Sequence, residues 1–233
     1  MRRFAEIFAL AARRHGGAAA LERILAATPP RKPAEIATIP DDRILAEMTR
    51  RIFNAGFSSI VIDKKWPAFE RAFQGFDPAA CASMTEPYFD SLMRDREIVR
   101  NGAKIKAVVV NARLLVDLRA EHGSAGRFFA DWPDDEYVGL LEVLKKRASH
   151  LGGEAAGRFL RGIGKPAFIT TPDMIAALIR EGVIKGRPSG KRDLAAIQAA
   201  FNEWSKESGR DLTSISRTLA MSVDSGGYGP PNR

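Results

Sequence analysis

The sequence predicts an all-α protein. Apolar residues recur at helical spacing along most of the 233 residues, and no segment shows the alternation of apolar and polar residues that is typical of a half-buried strand. Short breaks rich in glycine and proline separate these segments. The length suffices for one large domain or two small ones, each with a sizeable core.

Each predicted helix combines helical periodicity with a start or stop signal. The segments are 3–14, 18–27, 41–54, 65–74, 85–93, 103–121, 135–147, 154–163, 172–182, 191–208 and 211–222. In 103–121 one buried face is expected, formed by Ile105, Val108, Val109, Ala112, Leu115 and Val116. Trp66 is expected at the head of the helix that begins at 65.

A proline-rich segment and a change of composition near the C-terminus predict that the chain has three parts. The proline-rich segment at 28–33 separates an N-terminal helical arm, residues 1–33, from a main helical domain, residues 34–222. Residues 223–233 contain too little apolar surface to fold and are expected to form a flexible tail.

Composition narrows the classes of partner and compartment. Lys and Arg number 36 against 28 acidic residues, a net charge of +8, so the surface should attract a polyanion. Cys81 is the single cysteine, which excludes an internal disulfide and a cysteine-based zinc cage, and we expect a cytoplasmic protein without a cofactor. No apolar run approaches the about 18–20 residues needed to span a bilayer, and the start, MRRFAEIFALAARRH, is interpreted as an amphipathic helix.

The segment Tyr137–Lys165 has the pattern of a helix-hairpin-helix. Two short apolar helices flank the turn SHLGG, where Gly152 and Gly153 permit positive φ and close backbone approach. The N–H groups of such a turn and of the following helix can hold a DNA phosphate without contacting any base. The candidate DNA-binding residues are Leu151, Gly152, Gly153, Lys145, Lys146 and Arg158. An ordinary pair of helices with a solvated basic face remains the alternative.

Asp173 is a candidate functional acid at a helix start beyond the hairpin. Thr171 suits the N-cap of the following helix, Pro172 suits its first position, and Asp173 then lies in the first turn, where the helix dipole favours a carboxylate. Asp173 could instead serve only to compensate that dipole. Thr171, which begins the same helix, is the alternative candidate.

The chain resembles the DNA-3-methyladenine glycosylase I family, a branch of the helix-hairpin-helix glycosylases. The resemblance is carried by the succession AGFSS, FDP, IVRNGAKIKA and NA within Asp41–Pro78 and Ile98–Ala112, and more weakly by Phe168–Ile184. It implies removal of alkylated bases from double-stranded DNA. It also implies that the acid at a helix start beyond the hairpin, here Asp173, is catalytic. We expect a monomer that has no membrane association.

Two pocket positions depart from the family pattern. Arg51 stands where the family has a base-recognising glutamate, and Ser59 stands where it has a stacking tryptophan. The cysteines and histidines of the family's zinc site have no counterparts, so no zinc is expected. These departures put the choice of damaged base in doubt and, to a lesser degree, the activity itself.

The candidate base pocket lies around the Ala55–Gly56 pair and consists of Phe53, Asn54, Phe57 and Trp66. Enzymes that act on a base take it out of the stack and hold it between aromatic or apolar side chains. The spacing of Phe53 and Phe57, at i and i+4, is also typical of core packing. Glu47 and Asp63 are weaker candidates for the catalytic acid. Because no lysine is placed for Schiff-base chemistry, we expect a monofunctional hydrolase.

Basic and amide side chains crowd the start of the predicted helix 103–121, although the dipole at that end favours anions. They are Arg100, Asn101, Lys104 and Lys106. They could face phosphate or hold the neighbouring loop. Alternatively, Asn101 and Gly102 make a turn and the lysines are solvated.

Two other functions remain open on the sequence. Arg51 and Ser59 allow a non-catalytic helix-hairpin-helix DNA-binding protein of the same fold. A basic helical adaptor that binds protein would be indicated if DNA affinity depended little on salt, because phosphate contacts release counterions.

Overall fold

The computed structural model describes residues 1–224, and the regular structure within this range is helical, which confirms the all-α prediction. Residues 225–233 of the expected tail lie outside the described range. The helices are α1 (Phe4–Arg14), α2 (Ala18–Ala26), α3 (Pro33–Ala37), α4 (Asp41–Asn54), α5 (Ser59–Ala72), α6 (Pro78–Ala82), α7 (Glu86–Arg94), α8 (Gly102–His122), α9 (Ala125–Asp131), α10 (Tyr137–Arg147), α11 (Glu154–Gly162), α12 (Pro172–Arg180), α13 (Lys191–Ser208) and α14 (Leu212–Met221). Short 3-10 turns occur at Gln74–Phe76 and Asp134–Glu136.

The described chain forms two compact units. The first unit contains Met1–Pro30, Pro133–Val138 and the chain from Pro166 onward. The second contains Arg31–Trp132 and Gly139–Lys165. The N-terminal helices α1 and α2 are therefore part of the first unit, where α1 packs against α13 and α14.

The core of the first unit is built on aromatic side chains. Phe168 contacts Tyr137 and Phe201, with ring centroids 4.6 and 4.5 Å apart, and Phe201 contacts Trp204. The indole Nε1 of Trp204 donates to the carbonyl oxygen of Arg2 at 3.0 Å, which joins the start of the chain to α13. This bond and the apolar face of α1 account for the inclusion of the N-terminal residues.

Helix α8 is the centre of the second unit and packs against α4, α6 and α9. Its buried face is Lys104, Ile105, Ala107, Val108, Asn111, Ala112, Leu114, Leu115 and Leu118. The expected face is correct at four of six positions, but Val109 is only half-buried and Val116 is exposed. Over 21 residues the partners of α8 change along its length, so a single apolar stripe does not describe it.

Helix α5 begins at Ser59, six residues earlier than the start predicted at 65. The β-branched run at 60–62 is unfavourable in helices, and a proline such as Pro67 is typical of the first turn of a helix. In the structure Pro67 lies inside α5, and Trp66 is in mid-helix instead of at its head. Packing of Ile62 and Phe69 in the core outweighs the hydrogen bond that proline cannot donate.

Three helices of five to seven residues, α3, α6 and α9, were not predicted. Segments this short span too few turns for apolar periodicity to be recognised. Helices α3 and α9 pack against each other, and α6 packs on α8. No helix among the described residues is both long and apolar enough to cross a membrane.

Candidate functional site

The predicted hairpin is present in the second unit, where α10 and α11 are joined by residues 148–153. Two residues of this turn have positive φ: His150, at +59°, and Gly153, at +57°. Gly153 is the N-cap of α11 and has no side chain to bind the first N–H groups of that helix. The turn therefore presents a helix N-terminus at an exposed pair of glycines, the arrangement that favours an anion.

The candidate DNA-binding residues of the hairpin differ in what they can contact. Lys145 and Lys146 are exposed, as are Gly152 and Gly153. Arg158 is also exposed, and its Nη2 atom lies 3.0 Å from Oε2 of Glu154, one turn earlier. Leu151 is only 1% exposed, so its side chain anchors the turn in the core and only its backbone could reach a phosphate.

Lys104 of α8 holds the turn at residues 54–58, between α4 and α5. The ammonium group of Lys104 donates to the carbonyl oxygens of Phe53 and Ala55 and lies 4.8 Å from the centroid of the Phe57 ring. Burial lowers the pKa of Lys104. A cation at the carbonyl end of α4 also complements the helix dipole. Of the three roles considered for Lys104, which are phosphate contact, support of a loop and solvation, the structure shows the support of a loop.

The other polar residues at the start of α8 cap the helix or lie at the surface. Asn101 is the N-cap, and its Oδ1 accepts the N–H of Lys104 at 3.1 Å. Arg100 and Lys106 are exposed, and the Lys106 ammonium lies 5.1 Å from the Phe89 ring. Among the basic residues at the start of α8, Lys104 is buried and supports the 54–58 turn, whereas Arg100 and Lys106 lie at the surface.

The four candidate pocket residues occupy two different environments. Phe53 is fully buried, with its ring 4.7 Å from that of Phe69. Trp66 stacks on Phe69 and Phe76, lies 4.3 Å from the guanidinium of Arg50, and donates its Nε1–H to Glu70. These two residues belong to an aromatic cluster of the core.

Asn54 and Phe57 lie on the turn itself. Phe57 is 42% exposed, and Ile60 and Val61 beside it on α5 are also exposed. Asn54 is half-buried, and its Oδ1 atom is shielded without a hydrogen-bond partner among the described residues. A buried acceptor left without a donor is costly, so the Asn54 Oδ1 atom can still gain a hydrogen bond. The exposed ring of Phe57 can still gain an apolar contact.

Arg51 points back along α4. Its Nε atom donates to Oε1 of Glu47 at 2.6 Å, one helical turn earlier. Gly162 at the end of α11 leaves room for this pair, because a Cβ atom there would come 1.9 Å from Oε1 of Glu47. Asp63, the other weaker acid, pairs with Arg50 at 2.8 Å. Ser59 is exposed at the first turn of α5.

Asp173 lies at the expected place in its helix. Thr171 caps α12 through its Oγ1 atom, which accepts the N–H of Met174 at 3.3 Å, and Pro172 follows it. Asp173 is half-buried in the first turn. It belongs to the first compact unit, whereas the 54–58 turn and the hairpin belong to the second.

One structural residue of the hairpin was missed from the sequence. Asn111 is fully buried in α8, and both ends of its amide bind the backbone of Ser149 in the hairpin turn. The available signal was an amide within the apolar face formed by Val108, Ala112 and Leu115. Among the described residues there is no group of three or more His, Cys, Asp or Glu side chains that could hold a metal ion.

Residues 37–146 match the family model described as methyladenine glycosylase. The DNA-3-methyladenine glycosylase of Haemophilus influenzae is 33% identical over 78 residues, which cover 34% of this chain and 40% of that protein. The DNA-3-methyladenine glycosylase 1 of Escherichia coli is 36% identical over 64 residues, which cover 28% of this chain and 34% of that protein. The chain thus matches well under two-thirds of the length of these relatives. A solved 3-methyladenine DNA glycosylase I from Staphylococcus aureus is 26% identical, covering 54% of this chain and 77% of that one, with a TM-score of 0.48.

Proposed function

We propose that this chain, which belongs to the methyladenine glycosylase family through residues 37–146, is a DNA glycosylase that hydrolyses the N-glycosidic bond of an alkylated base in base excision repair. The observation that carries the proposal is the content of the second compact unit. It holds the family segment except Pro133–Val138, including the 54–58 turn, and it also holds α11 and the turn before it, which complete the helix-hairpin-helix.

The hairpin is the proposed contact to the DNA backbone. Its exposed glycines and the N-terminus of α11 offer N–H groups to one phosphate, and Lys145 and Lys146 add positive charge nearby. Such contacts hold the duplex without reading its sequence. A repair enzyme that must search undamaged DNA requires this kind of binding.

The 54–58 turn is the proposed contact to the damaged nucleotide. The exposed ring of Phe57 offers an apolar surface to a base, and the Asn54 Oδ1 acceptor is placed to accept a hydrogen bond after a small movement of the turn. Phe53 and Trp66 form the wall behind it through the aromatic cluster. Lys104 holds the turn to α8, so the movement is limited.

Asp173 remains the proposed catalytic carboxylate. An N-alkylated purine carries positive charge and leaves readily, so the reaction needs positioning and stabilisation of an oxocarbenium-like sugar more than protonation of the base. A carboxylate in the first turn of α12 would supply that stabilisation or would orient the attacking water. Glu47 and Asp63 are each paired with an arginine, which supports Asp173 over these two acids.

Arg51 supports a second candidate, a DNA-binding protein of the same fold that does not excise bases. A guanidinium donates hydrogen bonds only and repels a cationic base, whereas the glutamate implied at this position would accept them. Glu47 lies beside Arg51 and offsets its charge, so the pair is close to neutral. Because Glu47 offsets the charge of Arg51, a cationic base would be repelled less, and this pairing supports the first candidate, which excises bases.

The decisive experiment is incubation of the purified protein with methylated duplex DNA, followed by chromatography of the released bases. Release of 3-methyladenine, and none from unmethylated duplex, is expected. Salt-dependent DNA binding without any released base would favour the second candidate, and a panel of other damaged bases would then test for a changed substrate. DNA affinity that varies little with salt would contradict both candidates and favour a protein-binding adaptor.

We further propose that the protein acts as a monomer in the cytoplasm. The relatives in Haemophilus influenzae and Escherichia coli are bacterial proteins, and bacteria hold their DNA in that compartment. Burial raises the pKa of the Cys81 thiol to about 12, as suits an unreactive core residue. Light scattering of the purified protein, alone and on a short duplex, measures the oligomeric state. A stable dimer in solution would contradict this proposal.

A further inference from the structure

Asn111 bridges two segments that lie 38 residues apart in the chain. Its Nδ2 atom donates to the carbonyl oxygen of Ser149 at 3.1 Å, and its Oδ1 atom accepts the N–H of Ser149 at 2.7 Å. Because one partner is an acceptor and the other a donor, only one orientation of the amide satisfies both. One residue of the hairpin turn therefore binds both the nitrogen and the oxygen of the buried amide.

The turn that Asn111 holds has an unfavourable backbone conformation. His150, directly after Ser149, has a φ of +59°, which a residue with a side chain seldom adopts. Such conformations persist where the surrounding structure fixes them. Asn111 fixes the entry to the turn, and the buried side chain of Leu151 fixes its middle.

A second contact joins the same two segments at the surface. The guanidinium of Arg147, the last residue of α10, binds both carboxylate oxygens of Glu121 near the end of α8, at 3.0 and 2.8 Å. This hydrogen bonding lowers the pKa of Glu121. Both side chains are partly exposed, so the pair contributes less than the buried amide.

We propose that Asn111 is a positioning residue for DNA binding: it holds the hairpin turn so that the backbone N–H groups before α11 face a phosphate. The inference rests on the proposed function. A turn held in its binding conformation loses little conformational entropy when the phosphate arrives, and this preorganisation adds affinity. An apolar residue would fill the same space in α8 but would leave Ser149 unbound.

The test compares Asn111→Leu, which keeps the volume approximately, and Asn111→Ala with the control Ser149→Ala. The control keeps both bonds because they use the backbone of Ser149. We expect the two Asn111 variants to bind undamaged duplex about tenfold more weakly at fixed salt, because the turn loses both preorganising bonds. Their single-turnover rate of base release at saturating protein should equal that of the wild type, and Ser149→Ala should match the wild type in both measurements.

The possible outcomes separate this inference from the proposed function. Folded Asn111 variants that bind DNA with wild-type affinity would overturn the positioning role, whether or not their rate of base release is reduced. Failure of the wild type itself to bind DNA would instead overturn the proposed function. Hydrogen exchange of the wild-type Ser149 amide tests the inference without any variant: exchange as slow as that of Val108 in α8 supports it, and exchange at the rate of an open loop contradicts it.

Discussion

Gly126 in α9 packs so closely against Ile36 that a Cβ atom at position 126 would come 2.8 Å from the Ile36 carbonyl oxygen. The carbonyl oxygens of Ala37 and Ile39 would lie 3.0 Å from the same atom. These are backbone atoms, so they cannot rotate away as the end of a side chain could. The missing side chain at 126 allows α9 to pack on α3 at the start of the family segment.

The change Gly126→Ala should therefore destabilise the protein. Overpacking of this kind costs about 1–3 kcal/mol, more than the gain of up to about 1 kcal/mol from the better helix propensity of alanine. Chemical unfolding should show a lower midpoint. The control is Gly186→Ala, where the added Cβ atom would meet no other part of the protein within 4 Å, and it should unfold like the wild type. Equal midpoints for the two variants would contradict the close packing of α9.

A carboxylate in the hairpin turn should weaken DNA binding. Gly152 is the suitable position, because a Cβ atom added there would meet no other part of the protein within 4 Å and its φ is not positive. Gly153 has a φ of +57°, so any side chain there adds strain. Gly152→Glu should reduce affinity for all duplex sequences by a similar factor, since a phosphate contact carries no sequence information. The neutral variant Gly152→Gln is the matched control. Fluorescence anisotropy on two unrelated duplexes measures both, and unchanged affinity of Gly152→Glu would remove the hairpin from the interface.

Replacement of the proposed catalytic carboxylate should separate binding from chemistry. Asp173→Asn keeps the size of the side chain and its place after Pro172 in α12, so the fold should be retained. We expect base release to be lost and DNA affinity to be unchanged or slightly raised, because a negative charge is removed. Chromatography of released bases and a binding titration on the same preparation give the two results. Full activity would exclude Asp173 from the mechanism and direct attention to Thr171.

Burial of Lys104 predicts a pH dependence of stability. Its pKa is lowered in the folded protein, so the unfolded chain binds this proton more tightly and the charged form opposes folding. That cost is present below the folded pKa and disappears as the pH rises towards the unfolded value of about 10.4. The wild type should therefore gain stability relative to Lys104→Met over this range.

The measurement is chemical unfolding of both proteins at several values between about pH 7 and about pH 10. The other lysines titrate equally in both proteins, so the difference in unfolding free energy isolates position 104. A difference that stays constant with pH would show that Lys104 is solvated. It would also remove the support proposed for the 54–58 turn, which depends on this side chain being held against the carbonyl groups of Phe53 and Ala55.

The sequence by itself determined the features that depend on neighbours within a few residues. Periodicity and caps predicted α4 and α13 with the bounds found, and glycines after an apolar helix predicted the hairpin between α10 and α11. The cap at Thr171 was likewise predicted correctly. Helix periodicity, capping and turn formation are local interactions, so they can be recognised from a single chain.

Tertiary structure alone decided which residues meet across longer separations. The bonds from Asn111 to Ser149, the support of the 54–58 turn by Lys104 and the grouping of α1 with α13 and α14 each join distant segments. Packing also placed Trp66 inside α5 despite the proline that follows it. Such contacts depend on the partner that each buried face finds, and the free energy of that burial exceeds the local preferences that a sequence pattern records.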